Sequence, residues 1–295
     1  MDITIAIPVR NEEINLRGCL DAIGNDFVQS IIIIDSQSTD GTREIAEAYG
    51  LKVLDFKWNG KFPKKRNWFL RNYQVQTQWV MFLDADEHLT TSFKNELRQN
   101  LNLVGFSGFW LNYSIFFLGK VLKGGYPLKK LALFKFGAGE YEKIEENQWS
   151  QLDMEVHEHP VLEGKIGEIR SKIDHQDFRG ISHYFIKHNE YAAWEAARFF
   201  RAVNGTNLSA AWTRKQRIKY WLINTPLVGP AFFFGSFFLL RGFRDGSRGL
   251  AFAILKMSYF TQVYCKIKEL EMDQRSSQSQ LTKNTKPGIS KSLSS

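Results

Sequence analysis

Two rhythms alternate along the first hundred residues. Short β-branched runs, ITIAIPV at 3–9 and IIII at 31–34, are too short for a helix and apolar at successive positions, as a strand covered on both faces requires. Between them NEEINLRGCLDAIG (11–24) brings Ile14, Leu16, Leu20 and Ile23 to mostly helical spacing, with Asn11 placed as an N-cap and Gly24 as a stop. The alternation repeats as a helix from Asp40 to Gly50, a strand LKVLDF (51–56), a helix with Pro63 in its first turn (63–75) and a strand QWVMFLD (78–84). Alternating strands and helices predict the α/β class, a mixed, mostly parallel sheet flanked by helices. Ligands of such sheets bind at the carboxyl ends of the strands, and each strand here runs into polar residues there: Arg10-Asn11-Glu12, Asp35-Ser36 and Asp84-Ala85-Asp86.

Past residue 105 the pattern changes to aromatic, strand-like stretches, 108–120 and 129–137, with Gly124, Gly125 and Pro127 between them, which predicts mixed or antiparallel additions to the sheet. From 181 to 221 the chain is helical and aromatic-basic, and 221–240 (WLINTPLVGPAFFFGSFFLL) carries no charge. The stretch from 272 is rich in Ser, Gln and Lys with little to bury, so residues 272–295 are expected to be disordered.

Composition narrows the class. With 43% hydrophobic residues over 295 positions a packed core is available, and a disordered chain is excluded. A formal charge of +8 favours an anionic partner: nucleic acid, a phosphorylated substrate or a membrane surface. Cys19 and Cys265 follow no metal-ligand spacing and read as free thiols of a reducing compartment. The opening MDITIAIPV lacks a basic segment followed by an apolar one, which argues against a secretory signal.

An Asp-x-Asp at the end of an apolar strand can present carboxylates to a divalent cation, although an isolated one is more often a solvated strand end. Here it is the last of four ordered segments: AIPVRNE (6–12), IIDSQSTDGT (33–42), PKKRNW (63–68) and FLDADEHL (82–89). Together these resemble the family 2 nucleotide-sugar glycosyltransferases over roughly the first hundred residues. The resemblance implies the GT-A fold, with Asp84 near the ribose and Asp86 coordinating Mg²⁺ or Mn²⁺ that bridges the phosphates. It also implies Pro8, Glu12 and Asp35 around the nucleoside, and substrate contacts from Arg66 and Asn67, where relatives carry an Arg/Lys-Asn pair. Asp35-Ser36 departs from the two acids of many relatives.

The chemistry is consistent with this. Breaking a sugar-phosphate bond expels a diphosphate, whose growing charge a carboxylate-held metal stabilises as a Lewis acid. Lys64, Lys65 and Arg66, at a helix N-terminus, could add positive charge. The acceptor hydroxyl needs a base, and EVHEH (155–159) offers Glu155, His157, Glu158 and His159. Its alternation also suits an exposed strand edge, and its spacing is wrong for a zinc helix. Val-His-Glu at 156–158 resembles bacterial lipopolysaccharide-core glucosyltransferases of the same family, a likeness that extends more loosely through HQDFRG (175–180) and RDGSRG (244–249). It implies Glu158 as the base and His157 as its orienter or a phosphate contact. His175, His183 and His188 share no ligand spacing and read as structural. Trp194, Trp212 and Trp221 read as core or interface residues more than as sugar platforms.

Residues 221–240 have the length of a membrane span, but Pro226, Gly229, Pro230 and Gly235 divide them. Arg214, Lys215, Arg217 and Lys219 precede the stretch and Arg241, Arg244 and Arg248 follow it, which suits two helices lying on an anionic leaflet. A hairpin packed on the protein and a true span are the alternatives.

The expected organisation is a GT-A catalytic domain at 1–180, with a nucleotide-sugar half to about 105 and an acceptor half at 106–180, then a helical, membrane-associating extension at 181–271. The expected function is metal-dependent, inverting transfer from a UDP-sugar such as UDP-glucose to a lipid-linked saccharide in lipopolysaccharide core or surface polysaccharide synthesis. The protein would work in the cytoplasm, peripherally on the inner face of the plasma (inner) membrane. No nucleic-acid motif is present. Transfer to polyprenyl phosphate, or a basic membrane-binding module with a vestigial nucleotide site, are the competing readings.

Overall fold

The computed structural model describes residues 1–101, 105–144, 152–155, 158–204 and 214–284. The predicted strands form β1 (Ile3–Val9), β2 (Ser30–Asp35), β3 (Lys52–Asp55) and β4 (Trp79–Phe82), all parallel, with α1 (Glu13–Ile23), α2 (Thr42–Ala48) and α3 (Lys65–Asn72) between them. Alternate residues serve opposite faces. Ile3, Ile5, Ile7, Met81 and Leu83 belong to one core with Leu16, Leu20 and Phe93, while Ala6, Ile32, Ile34, Val80 and Phe82 belong to another with Phe69 and Tyr141. Continuous apolar runs are needed because both faces are covered.

Two local details differ from the sequence reading. Asn11 adopts a left-handed backbone, φ 56°, instead of capping α1, and its side-chain oxygen accepts the N–H of Thr39 at 2.8 Å. Helix α2 begins at Thr42, two residues later than Asp40, with Gly41 at its N-cap and the Asp40 carboxylate accepting the Thr42 N–H at 3.1 Å.

The sheet continues with β5 (Glu87–His88), β6 (Phe106–Phe117), β7 (Lys120–Val121), β8 (Leu128–Lys135) and β11 (Lys165–His175), in the order β3-β2-β1-β4-β8-β6-β11-β5 with β7 on β6. Helix α4 (Thr91–Asn100) packs beside β11, and β9 (Gly139–Tyr141) pairs with β10 (Pro160–Leu162) separately. Strand β8 is antiparallel to both β4 and β6, and β11 is parallel to β6. The carboxyl end of β11 and the start of β8 therefore share the sheet edge where β1, β2 and β4 end.

The rest is helical: α5 (Gly180–Asn204), α6 (Arg214–Ile223), α7 (Val228–Phe234), a π-turn (Gly235–Leu239), a 3₁₀ turn (Gly242–Asp245) and α8 (Gly246–Asn284). It has its own core, where Ala192, Ala196 and Phe199 of α5 meet Tyr259, Val263 and Ile267 of α8 with Ile223 and Val228. It is fastened to the sheet domain through Phe117, Leu122 and Phe252, and through Asp245, whose carboxylate accepts the N–H groups of Lys123 and Gly124, each at 2.9 Å. A Cβ on Gly249 would collide with the Gly242 carbonyl, so the backbones can approach this closely only at glycine.

Helix α6 and the segment from α7 through the π-turn meet at 116° across the Pro226 region, as the helix breakers predict. Among the described residues no single helix is long and apolar enough to cross a membrane, and this bent pair meets the length and composition test only together. The expectation of disorder from 272 is corrected: α8 runs to Asn284, and 285–295 lie outside the described residues. Little to bury argues against packing, but Glu271, Met272, Gln274 and Arg275 are good helix formers and can carry on a helix already anchored by its packed first half.

Candidate active site

The shared edge gathers most of the predicted residues. Pro8, buried, is the penultimate residue of β1 and pairs in register with Ile34. Asp35, buried at the end of β2, accepts the Ser38 N–H at 3.1 Å and the Ser38 hydroxyl at 2.6 Å, which folds the following loop over it. Glu12 faces Arg179 at 2.7 Å and accepts the Asn15 amide at 2.9 Å.

Asp84 and Asp86 follow β4 and have different surroundings. Asp84 has a cation on each oxygen, Arg66 at 2.7 Å and Lys130 at 2.6 Å. Burial alone would raise its carboxyl, but Lys130 and Arg66 outweigh burial and hold it below the usual range. Asp86 is buried; one oxygen lies 3.5 Å from His175 and 3.8 Å from Lys187, and the other has no hydrogen-bond partner. Burial again opposes ionisation, and His175 and Lys187 overcome it, keeping the carboxyl well below its ordinary value. His175 is raised in return: burial would lower it, and Asp86 reverses that. Buried Glu87 shares Lys130 with Asp84, and burial raises its carboxyl.

The structure adds His175, Asp177, Arg179, Lys187, Lys130 and Glu87 to the set read from sequence. His175 had read as a structural histidine; β11 instead ends at it, paired with Glu87 across β5, and this sets its ring beside Asp86. Arg179 bridges Glu12 and Asp177, both at 2.7 Å, and buried Asn15 donates to both carboxylates while accepting the Phe178 N–H. The available signal was HQDFR at a strand-to-helix junction, the same strand-end logic that selected Asp84 and Asp86.

The start of α3 forms the other wall. Asn67 is fully buried, and its amide both donates to and accepts from the Tyr141 backbone, at 3.0 and 2.9 Å. In place of the substrate contact expected of it, its amide is engaged in tying α3 to β9. Arg66, by contrast, does reach Asp84. Within EVHEH, Glu155 is buried and caps α3 by accepting the N–H groups of Arg66 at 2.9 Å and Asn67 at 3.0 Å, a structural task that removes it from the candidate bases. Glu158 is buried and paired with Lys64 at 3.2 Å. His157 lies outside the described residues, as does Trp212. Buried Trp194 has Lys64 and Arg198 over its ring, and Trp221 is exposed. His188 stacks on Tyr184 at 3.7 Å.

The residues fit a divalent cation. Asp86 offers an ionised, buried carboxylate with one orphaned oxygen, and the imidazole nitrogen of His175 is its neighbour. Among the described residues no group of three or more His, Cys, Asp or Glu side chains could hold a metal, so Asp86 and His175 are the two donors that the described part of the site offers.

Comparison with known proteins adds an independent line. The model of the family described as Glycosyl transferase family 2 matches residues 4–118. An uncharacterized glycosyltransferase of Rickettsia felis is 33% identical over 95 residues, covering 32% of this chain and 32% of that protein. The lipopolysaccharide core biosynthesis glycosyltransferase LpsC of Rhizobium meliloti is 27% identical over 196 residues, covering 63% of this chain and 67% of its own. The chain thus spans about a third of the Rickettsia relative's length. Among solved structures, a mannosyltransferase from Pyrobaculum calidifontis in complex with GDP-Man and Mn²⁺ is 16% identical with a TM-score of 0.47, over 90% of this chain and 86% of that one.

Proposed function

We propose, for a chain whose residues 4–118 match the model of glycosyl transferase family 2, metal-dependent, inverting transfer of a sugar from a UDP-sugar such as UDP-glucose to a lipid-linked saccharide. The observation that carries this reading is the division of labour in Asp84-Ala85-Asp86. Asp84 has both oxygens taken by Arg66 and Lys130, whereas Asp86 keeps one buried oxygen without a partner at the same sheet edge.

Asp86 and His175 would hold Mg²⁺ or Mn²⁺, which when bound supplies Lewis-acid stabilisation of the departing diphosphate. Lys187 and Arg179, 3.8 and 4.0 Å from Asp86, are placed to neutralise the same charge. Glu12 and Asp35 would frame the nucleoside where β1 and β2 end, with Asp84 toward the ribose. Glu158 would take the proton from the acceptor hydroxyl; its burial and its pairing with Lys64 hold it beside the α3 terminus that also supplies Arg66. The likeness to LpsC, a lipopolysaccharide core biosynthesis glycosyltransferase, supports a lipid-linked saccharide as acceptor.

The test is calorimetric titration of the full chain with UDP, with Mn²⁺ and then with EDTA, on wild type and Asp86→Asn. Metal-dependent binding lost in the variant is the expected result. UDP binding that ignores both EDTA and the substitution overturns the metal role.

A further inference from the structure

Around the helix breakers the chain is one-sided in charge. No Asp or Glu occurs between Glu195 and Asp245, and Asp245 spends its carboxylate on the N–H groups of Lys123 and Gly124. In the same region large apolar side chains stand in solvent: Phe234 is 59% exposed, Phe238 51%, Leu239 82% and Phe243 51%. They form one surface. The rings of Phe234 and Phe238 stack at 5.6 Å, Phe237 contacts Phe238 at 5.0 Å, and Phe243 joins through Phe237 at 6.5 Å.

This surface is held rigidly. The Gly125 N–H donates to the Leu240 carbonyl at 2.9 Å and Arg248 reaches the Leu118 carbonyl at 3.4 Å, which brings exposed Leu118 and Val121 of the β6–β7 hairpin alongside. Arg241 and Arg244 are exposed at its rim and make no ion pair among the described residues, and Lys120 and Lys123 stand exposed on the adjoining hairpin. An apolar tip of Phe and Leu with a cationic rim matches a surface that offers hydrocarbon beneath negative charge. A second copy is a poor occupant, since a symmetric contact would set Arg241 and Arg244 against like charges.

We infer that the α7–π-turn–3₁₀ segment, with the β6–β7 hairpin tip, is a docking surface for an anionic phospholipid membrane: Phe234, Phe238, Leu239 and Phe243 enter the interface, and Arg241 and Arg244 face the lipid phosphates. None of the residues of this surface is among those assigned to the donor site, and it binds lipid whether or not transfer occurs. Its failure would leave the transfer reading standing, and the converse holds too.

The experiment is sedimentation of the full chain, without nucleotide, with vesicles of phosphatidylcholine alone or with a third of phosphatidylglycerol. Wild type partitions to the anionic vesicles, more weakly in high salt. Arg244→Glu lowers partitioning about tenfold or more. Phe234→Ser with Phe238→Ser, exposed and tolerated by the fold, lowers it about tenfold or more. Equal partitioning to neutral and anionic vesicles, no vesicle binding by wild type, or a wild-type dimer in light scattering that the phenylalanine substitutions dissociate would each overturn the inference.

Discussion

Glu12 makes the stability of this protein depend on pH near neutrality. Its side chain is 15% exposed and faces Arg179 at 2.7 Å. Burial pushes its carboxyl from the usual 4.5 up to about 7, in spite of Arg179 and Asn15. The folded chain therefore keeps a proton that the unfolded chain has released, and where the folded state binds more protons stability falls as pH rises. The contribution is whole below about 4.5, shrinks through the interval and is gone above about 7, a loss of about 3 kcal/mol at 1.4 kcal/mol per pH unit. Urea denaturation of wild type and Glu12→Gln from pH 4.5 to 8 reads it. The variant has no proton to lose at this position, so wild type should weaken relative to it by about 3 kcal/mol across the range. His175 titrates in both proteins and cancels. Parallel stability profiles would refute the assignment of a protonated Glu12.

The two glutamates of EVHEH should separate cleanly. Glu155→Ala strips the caps from the Arg66 and Asn67 N–H groups inside the protein and should cost about 2–4 kcal/mol by urea denaturation; a loss under about 1 kcal/mol would contradict the capping role. Glu158→Gln keeps shape and should leave the urea midpoint and the donor KM near wild type while kcat falls about 100-fold or more, whereas an unchanged kcat would point to an acceptor that is already anionic, such as polyprenyl phosphate. Gly249→Ala forces a Cβ into the Gly242 carbonyl and should cost about 1–3 kcal/mol, seen as a lower Tm; an unchanged Tm would mean the 3₁₀ turn does not pack this closely on α8.

Much of the candidate site was legible because its residues lie where a hydrophobic run stops. Glu12, Asp84 and Asp86 follow, and Asp35 ends, a strand whose apolar pattern marks its end, so their convergence follows from parallel pairing. What Asn67 touches was not legible: α3 turns its amide inward to the Tyr141 backbone, a partner 74 residues away in sequence. Glu155 and Glu158 differ in sequence by three positions and in role by which of them reaches the α3 backbone. The extent of α8 escaped a reading based on burial, because a helix can continue beyond the residues that anchor it.

The sequence by itself determined the α/β alternation, the strand-end carboxylates, the break around Pro226 and the basic flanks of the apolar stretch, all set by local periodicity, backbone restriction and charge. Only the tertiary structure brought His175, Arg179, Lys187 and Lys130 to Asp84 and Asp86, because that required β8 to run antiparallel and β11 parallel within one sheet. Pairing between strands tens of residues apart is decided by the packing of whole faces, which no local pattern encodes. The electrostatics follow from the same cause: a carboxylate's ionisation depends on what is buried against it, so Glu12 and Asp86 lie at opposite ends of the carboxyl range.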